Sequence, residues 1–461
     1  MSDLMTDAAA VLAAFVQDTP SVLPEAVAAK TKRHMLDTFG AALAGALAVE
    51  TRGTLAILDR ADAAPVWGTA IRLGARDAAL ANGVAAHALE LDDSGGCDHS
   101  GAVVLPAAMA ALSVTDRPIS GQDLMAAVAI GYDVARRVLE ACGGYAAHNG
   151  AGWHSTATCG VFGATAAAAR LLGLDADVTA AALGHAASFS GGLWGFIHDS
   201  AQTKRLHAGR AAEGGLLAAL LAGRGITGPG RIFADVWGGF FKTIAPTTAE
   251  PQALIADLGS PWKIMRCSIK PYASCRGTHS AIDAVSALLG QREIDASDVA
   301  SVRVRLSGFL MNMCGGRELG SLASAQMSLP YAVAARLVHG SAGIEAYRIE
   351  RRRDPRINDL MARVMLEIDP AQADLDEPEV TLVLADGATA TLRVPIALGA
   401  PANPMSDAAL RAKYLGLAGL VLPAARAERL AETVLALEDL ADARALLPLL
   451  AGTGEQGPSL C

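Results

Sequence analysis

Long alanine- and leucine-rich segments, each cut off by glycine or proline, constrain this chain most. They run over 7–17, 25–48, 77–90, 121–142, 161–172 and 211–222, with apolar residues at helical spacing. Hydrophobic residues make up 52% of the sequence but aromatics only 4%. The core must therefore be filled by Ala, Leu and Val, and such small side chains let helices approach closely. Ser21 and Pro24 mark a helix entry before Glu25. At 461 residues the chain exceeds one simple core, so two domains are expected.

The texture changes after about residue 265. Val302, Val304 and Leu306 alternate with Ser301, Arg303 and Arg305, as on a half-buried strand, and Val364, Leu366 and Ile368 repeat the pattern. Residues 379–384 and 389–394 flank Ala385-Asp386-Gly387-Ala388, a hairpin signal. After Pro395 helical spacing returns, with Ser406 placed to cap a helix from Asp407. The expected fold is mainly α with an α+β insert. A large all-helical domain is formed by 1–264 and 396–461, and 265–395 forms a smaller α+β lid domain.

Composition narrows function. Net charge is 38 − 47 = −9, without a basic tail, which argues against a nucleic-acid partner. Residues 201–280 nevertheless hold ten Lys/Arg against four Asp/Glu, a local excess of 10 − 4 = +6 suited to a small anion. Seven cysteines (Cys97, Cys142, Cys159, Cys267, Cys275, Cys314, Cys461) lie far apart without a CxxC, which points away from a disulfide framework and toward a reducing cytoplasm. The start, MSDLMTDAAA, lacks the basic region of a signal peptide, and no apolar run has membrane-spanning length. No dinucleotide loop, P-loop, GxSxG elbow or HExxH occurs, so neither cofactor nor metal is expected.

The chemistry concentrates in Asn82–Pro106, NGVAAHALELDDSGGCDHSGAVVLP. It brings His87, His99, Glu90, Asp92, Asp93, Asp98 and Ser94 together beside glycines, between apolar shoulders. Titratable groups next to flexible backbone suit an acid–base site. Asp92 and Asp93 are expected to hold the loop through backbone hydrogen bonds. His154, after Gly152-Trp153 and before an apolar segment, suits a neutral imidazole at a helix N-terminus. Lys204 precedes a buried-looking segment and Lys270 lies between Ile269 and Pro271; two such lysines can hold two carboxylates. Arg276 can clamp a carboxylate or cap a helix, with His279 on the helix that follows. Tyr145 and His148 fall in a glycine-flanked loop, GGYAAHNG, and Tyr331 in an apolar helical segment.

HALELDD followed by HSGAVVLP resembles the signature of the MmgE/PrpD family. GWHSTATCGVFGATAAAARLLGL, TKRLHAGRAAEGGLLAALL, IKPYASCRGTHSAIDA, SLPYAVAARL and NPMSD match it further along the chain. The family includes 2-methylcitrate dehydratases, cis-aconitate decarboxylases and iminodisuccinate epimerases. The resemblance implies a helical domain with an α+β lid, usually as a homodimer, acting on a small di- or tricarboxylate. It places Glu90, Ser94, Lys270 and Tyr331 at the substrate and His154, His99 and Lys204 in the site; the residue types themselves add Arg276 to substrate binding and Tyr145, with His154, His99 and Lys204, to catalysis. The shared step is removal of a proton α to a carboxylate, with the lysines stabilising the enolate, His154 as base, and His99 or Tyr145 on the other face. Three departures bear on the reaction: Glu90 replaces the usual Asp, Gly95-Gly96-Cys97-Asp98 replaces a Trp-His-Pro element, and Ser274-Cys275-Arg276 stands where decarboxylases carry a His. On these departures the expectation is an iminodisuccinate-type epimerase. A 2-methylcitrate-type dehydratase, a cis-aconitate-type decarboxylase and a noncatalytic carboxylate-binding protein are the alternatives, in that order.

Overall fold

The computed structural model describes residues 7–199, 201–291 and 294–452; the first six residues and Cys461, both used above, lie outside these. The helical segments form where the apolar spacing places them: α1 (Ala8–Asp18) and α2 (Glu25–Gly45) come first. A short antiparallel pair, β1 (Arg60–Pro65) and β2 (Arg72–Leu73), interrupts the helices. This pair departs from the all-helical expectation for that region. Its alanines carry little strand preference, so pairing with β2 rather than local sequence forms the strand. Then follow α3 (Ala75–His87), α4 (Ser100–Leu112), α5 (Gly121–Ala141), α6 (Gly160–Leu172), α7 (Ala176–Phe189) and α8 (Thr203–Gly223).

Two glycine contacts set the spacing of these helices. A Cβ on Gly83 of α3 would stand 2.7 Å from the Gly209 Cα of α8, and one on Gly131 of α5 would stand 2.9 Å from the Gly163 carbonyl oxygen of α6. Only bare backbone permits that approach. The first contact matters for the site, because the C-terminal end of α3 leads to Glu90 and the first turn of α8 carries Lys204 and Arg205. Gly209→Ala is therefore expected to destabilise the protein by about 1–3 kcal/mol through overpacking. Denaturant unfolding checks this; an unchanged midpoint would mean the two helices can part without loss.

The second region contains α9 (His279–Gln291), β3 (Val299–Leu306), α10 (Leu329–His339), β4 (Val364–Ile368), β5 (Glu379–Leu384) and β6 (Thr389–Arg393). Its sheet has the order β4-β3-β5-β6, with β3 parallel to β4 and antiparallel to β5. Val302, Val304 and Leu306 face inward toward α9 and α10, as their alternation predicts. Leu384 N–H donates to the Ala388 carbonyl at 2.8 Å, and Gly387 takes φ +83°, closing the expected hairpin. The chain then returns to the helical body through α11 (Asp407–Ala418) and α12 (Ala424–Leu435). The Ser406 hydroxyl accepts from Ala409 N–H at 3.1 Å, and Tyr414 of α11 packs on Gly40 of α2. The architecture is thus mainly helical, with an α+β lid region. Among the described residues no helix is long and apolar enough to cross a membrane.

Candidate active site

Between the helical body and the lid lies a cavity of about 320 Å³. Glu90, Ser94, Asp98, His99, Tyr145 and Lys204 line it from the body, Lys270 and Arg276 from the connecting segment, and residues 374–377 from the lid. Seven of the nine expected site residues therefore converge: Glu90, Ser94, His99, Tyr145, Lys204, Lys270 and Arg276.

Two do not reach the wall. Tyr331 is buried in the α10 core, where its hydroxyl donates to the Ala346 carbonyl and its ring packs 5.1 Å from Tyr347. Its proton is thus taken up by the backbone rather than aimed into the cavity. His154 is also fully buried, one layer behind Asp98. His279 is buried too, with its Nε2 3.2 Å from the Ser274 carbonyl oxygen. Tyr145 and His148 sit on a short helix, Gly144–Gly150, rather than in an open loop. His148 Nε2 is 2.6 Å from the Thr158 hydroxyl and packs inside.

The cationic half of the site is built around one carboxylate. Glu90 follows α3 in a left-handed conformation, φ +53°, and is fully buried. Its Oε1 accepts from both Lys204 and Arg205, and its Oε2 accepts from Lys270 Nζ at 2.9 Å. Burial by itself would raise the Glu90 pKa, but Lys204, Lys270 and Arg205 outweigh it and hold the carboxyl well below the usual range. Burial likewise works against the Lys270 ammonium, and Glu90 overcomes it to raise that pKa. The lysines are thus not held apart for two substrate carboxylates; both are pinned to the two oxygens of Glu90. Three cations around one anion leave the group at +2, at the first turn of α8, where the helix dipole adds positive potential. On the lid side Arg276 pairs with Glu377 at 2.6 Å.

The acid–base half is a string of histidines and aspartates. His99 Nδ1–H is shared between Asp92 Oδ2 at 2.9 Å and the Asp93 carbonyl at 3.0 Å, and Nε2 lies 3.4 Å from Asp98 Oδ2. Burial disfavours the His99 imidazolium, but Asp98 and Asp92 prevail and raise its pKa. His87 also bonds Asp92, at 3.0 Å; burial and the neighbouring His99 keep it neutral, with a pKa of about 3. Burial, then His207 and Lys204, hold His154 well below the ordinary imidazole range, so it is neutral as expected, with burial rather than the helix end as the main cause. Tyr145 keeps its proton, its pKa raised by burial and by Asp98.

The two loop aspartates differ from expectation. Asp93 does accept a backbone bond, from Gly101 N–H at 3.0 Å, but also side-chain bonds from Tyr132 at 2.6 Å and His34 at 3.0 Å. Among the described residues Asp92 serves the two histidine rings and no backbone group.

Asp98 is named above among the acids of the loop but is given no role there. It adopts φ +113°, a rare conformation for a non-glycine residue, and lines the cavity. An acid between cysteine and histidine in a glycine-rich loop was the available signal. Cys275 was also missed: a hydrogen bond from Cys314, and then Lys204, bring its thiol down to about 6 against burial. Asp98, His99 and His154, and separately His87, Asp92 and His99, bring three donor atoms close enough to receive a metal cation.

Sequence comparison gives this geometry a family. The profile of the MmgE/PrpD N-terminal domain matches residues 10–252, and that of the C-terminal domain matches 272–439. The chain belongs to the MmgE/PrpD family. It is 32% identical over 413 residues to a cis-aconitate decarboxylase of Aspergillus terreus, covering 84% of this chain and 83% of that one. It is 30% identical over 470 residues to the cis-aconitate decarboxylase-like protein oryM of Aspergillus oryzae, covering 94% and 95%. Identity to the cis-aconitate decarboxylase of Homo sapiens is 28% over 451 residues, covering 93% and 91%. This MmgE/PrpD chain is thus an acid–base enzyme of a carboxylate-acting family. The relatives favour lyase chemistry over the epimerase expected from the motif departures.

Proposed function

We propose that this enzyme is a lyase that decarboxylates a cis-aconitate-like unsaturated tricarboxylate. The observation that carries the reading is the +2 cluster of Lys204, Arg205 and Lys270 around Glu90, which meets the same cavity as His99, whose pKa Asp98 and Asp92 raise against burial. A substrate carboxylate docks against Lys204 and Lys270, and a second meets Arg276 in exchange for Glu377. When the carbon–carbon bond to the departing carboxylate breaks, CO₂ leaves and the electron pair spreads through the double bond toward the carboxylate at the lysines. Fixed cations in the cavity stabilise that charge. His99 then delivers a proton to carbon from Nε2, and Tyr145 completes the opposite wall.

A 2-methylcitrate-type dehydratase is the second reading. It is favoured by the Asp98 carboxylate beside the His99 imidazolium, a base and an acid together, as loss of a β-hydroxyl requires. The assembly we propose is a homodimer, measurable by sedimentation. The free thiols of Cys97, Cys142, Cys159, Cys267, Cys275 and Cys314 accord with a cytoplasmic setting.

Lys204→Met tests the decarboxylase reading. Loss of one electrostatic contact to the developing charge is expected to lower kcat for CO₂ release by about 10²–10³-fold. If CO₂ release from cis-aconitate proceeds at the wild-type rate in this variant, the cluster is not the electron sink.

A further inference from the structure

The NPMSD block, Asn403–Asp407, stands apart from the cavity wall. What it builds lies behind that wall. Gly399 N–H donates to the Asn403 carbonyl at 2.8 Å, and the Gly399 carbonyl accepts from Ile269 N–H at 3.0 Å. Ser406 then caps α11, whose second turn carries Lys413. Only 9% of the Lys413 side chain is exposed. Its ammonium donates to three acceptors: Asp37 Oδ1 of α2 at 2.5 Å, the Leu91 carbonyl at 2.7 Å and the Lys270 carbonyl at 2.7 Å. An ammonium has three N–H groups, and each is used here.

Two of those acceptors belong to the site. Leu91 directly follows Glu90, and Lys270 is the partner of Glu90. The two segments lie side by side. At one end Ser94 and Ser268 exchange N–H···O bonds of 3.0 and 2.8 Å. At the other, Lys270 Nζ donates to Glu90 Oε2 at 2.9 Å and to the Glu90 carbonyl at 3.3 Å. Lys413 ties that second end together from behind. Without its ammonium, two carbonyl oxygens and the buried Asp37 carboxylate would face one another with no donor between them. Acceptors stripped of both partner and water repel and are costly to bury, so the segments would part. Lys270 would move with its backbone.

We infer that Lys413 is a positioning residue, which fixes the spacing of the Leu91 and Lys270 backbones and thereby sets where the Lys270 ammonium meets the substrate. The inference rests on the decarboxylase reading for what Lys270 does.

The test is a double-mutant cycle on kcat for CO₂ release. Lys413→Met should lower kcat by about 10- to 100-fold, because a shift of roughly 1 Å in a reacting geometry has effects of that size. In a Lys270→Met background no ammonium is left to place, and adding Lys413→Met should lower kcat by no more than about 3-fold. In a Tyr145→Phe background it should keep its full effect. Lys413→Arg is the second variant and replaces Lys413→Met in the cycle if the methionine protein does not fold. It keeps the charge, but a planar guanidinium cannot direct three N–H groups onto acceptors that one nitrogen serves. It should lower kcat by about 3- to 10-fold, with the same dependence on Lys270. A kcat that neither variant changes, or a loss as large in the Lys270→Met background as in the wild type, overturns the positioning role.

If the wild type releases no CO₂ from cis-aconitate, the decarboxylase reading fails instead. The same cycle is then run on the Kd of tricarballylate, a saturated tricarboxylate. Weaker binding in Lys413→Met that disappears in the Lys270→Met background supports the positioning role. Equal weakening in both backgrounds, no weakening in either, or a wild type that does not bind the probe overturns it.

Discussion

Glu90→Gln is expected to lower the unfolding free energy by about 3–5 kcal/mol, the usual cost of removing one partner from a buried ion cluster. Lys204, Arg205 and Lys270 all converge on the Glu90 carboxylate inside the protein, and an amide leaves three cations facing one another. The loss should exceed that of a surface ion pair such as Arg303–Glu367, where both partners are nearly half exposed and the contribution is about 0–1 kcal/mol. The pH dependence gives a second readout. The folded-state pKa of Glu90 lies below its unfolded value of about 4.3. Its contribution is therefore present above that value and lost as pH falls through the folded-state pKa. Wild type should lose stability steeply on acidification, and Glu90→Gln should lack that part of the slope. Denaturant midpoints measured from neutral to acid pH decide this; equal slopes in the two proteins would show that Glu90 does not carry the cluster.

His99→Asn is expected to reduce kcat by about 10²–10⁴-fold while leaving the fold intact. Asparagine can keep a hydrogen bond to the loop but cannot deliver a proton. Among the described residues His99 is the one histidine of the cavity wall, and Asp98 and Asp92 favour its charged form against burial. Its pKa is raised, so activity should persist above the usual imidazole value of about 6.5 and fall only as pH rises through the higher folded-state value. The associated stability has the same sign: fully present below about 6.5 and lost as pH rises through the raised pKa. A kcat–pH profile for wild type and variant checks both statements. A wild-type alkaline limb that survives in His99→Asn would belong to another group.

The sequence was most legible where one physical signal dominated. Apolar spacing located α2, α5 and α6 to within a few residues, because a helix with so wide an apolar face has few other ways to bury it. The Asp386-Gly387 turn placed the β5–β6 hairpin because the positive φ of Gly387 favours such residues. The β1–β2 pair was hidden because alanine carries no strand signal. In the site, residue type indicated the chemistry but not depth. Lys204 and Arg205 are neighbours, and only the packing of α8 on α3 reveals that both reach Glu90. Tyr331 reads as a ligand contact until the Ala346 carbonyl is seen to occupy its hydroxyl. Asp98 depends on a backbone conformation that no local pattern encodes, so its position between two histidines became visible only in three dimensions.

The central claim is that this cavity breaks a carbon–carbon bond and then protonates carbon. The most direct measurement is proton NMR of the enzyme with cis-aconitate in D₂O. The account predicts loss of the substrate vinyl signal, CO₂ release, and an unsaturated dicarboxylate product carrying one new deuterium at the protonated carbon. Hydration or dehydration of a tricarboxylate without CO₂, or stereochemical exchange without any bond cleavage, would contradict it.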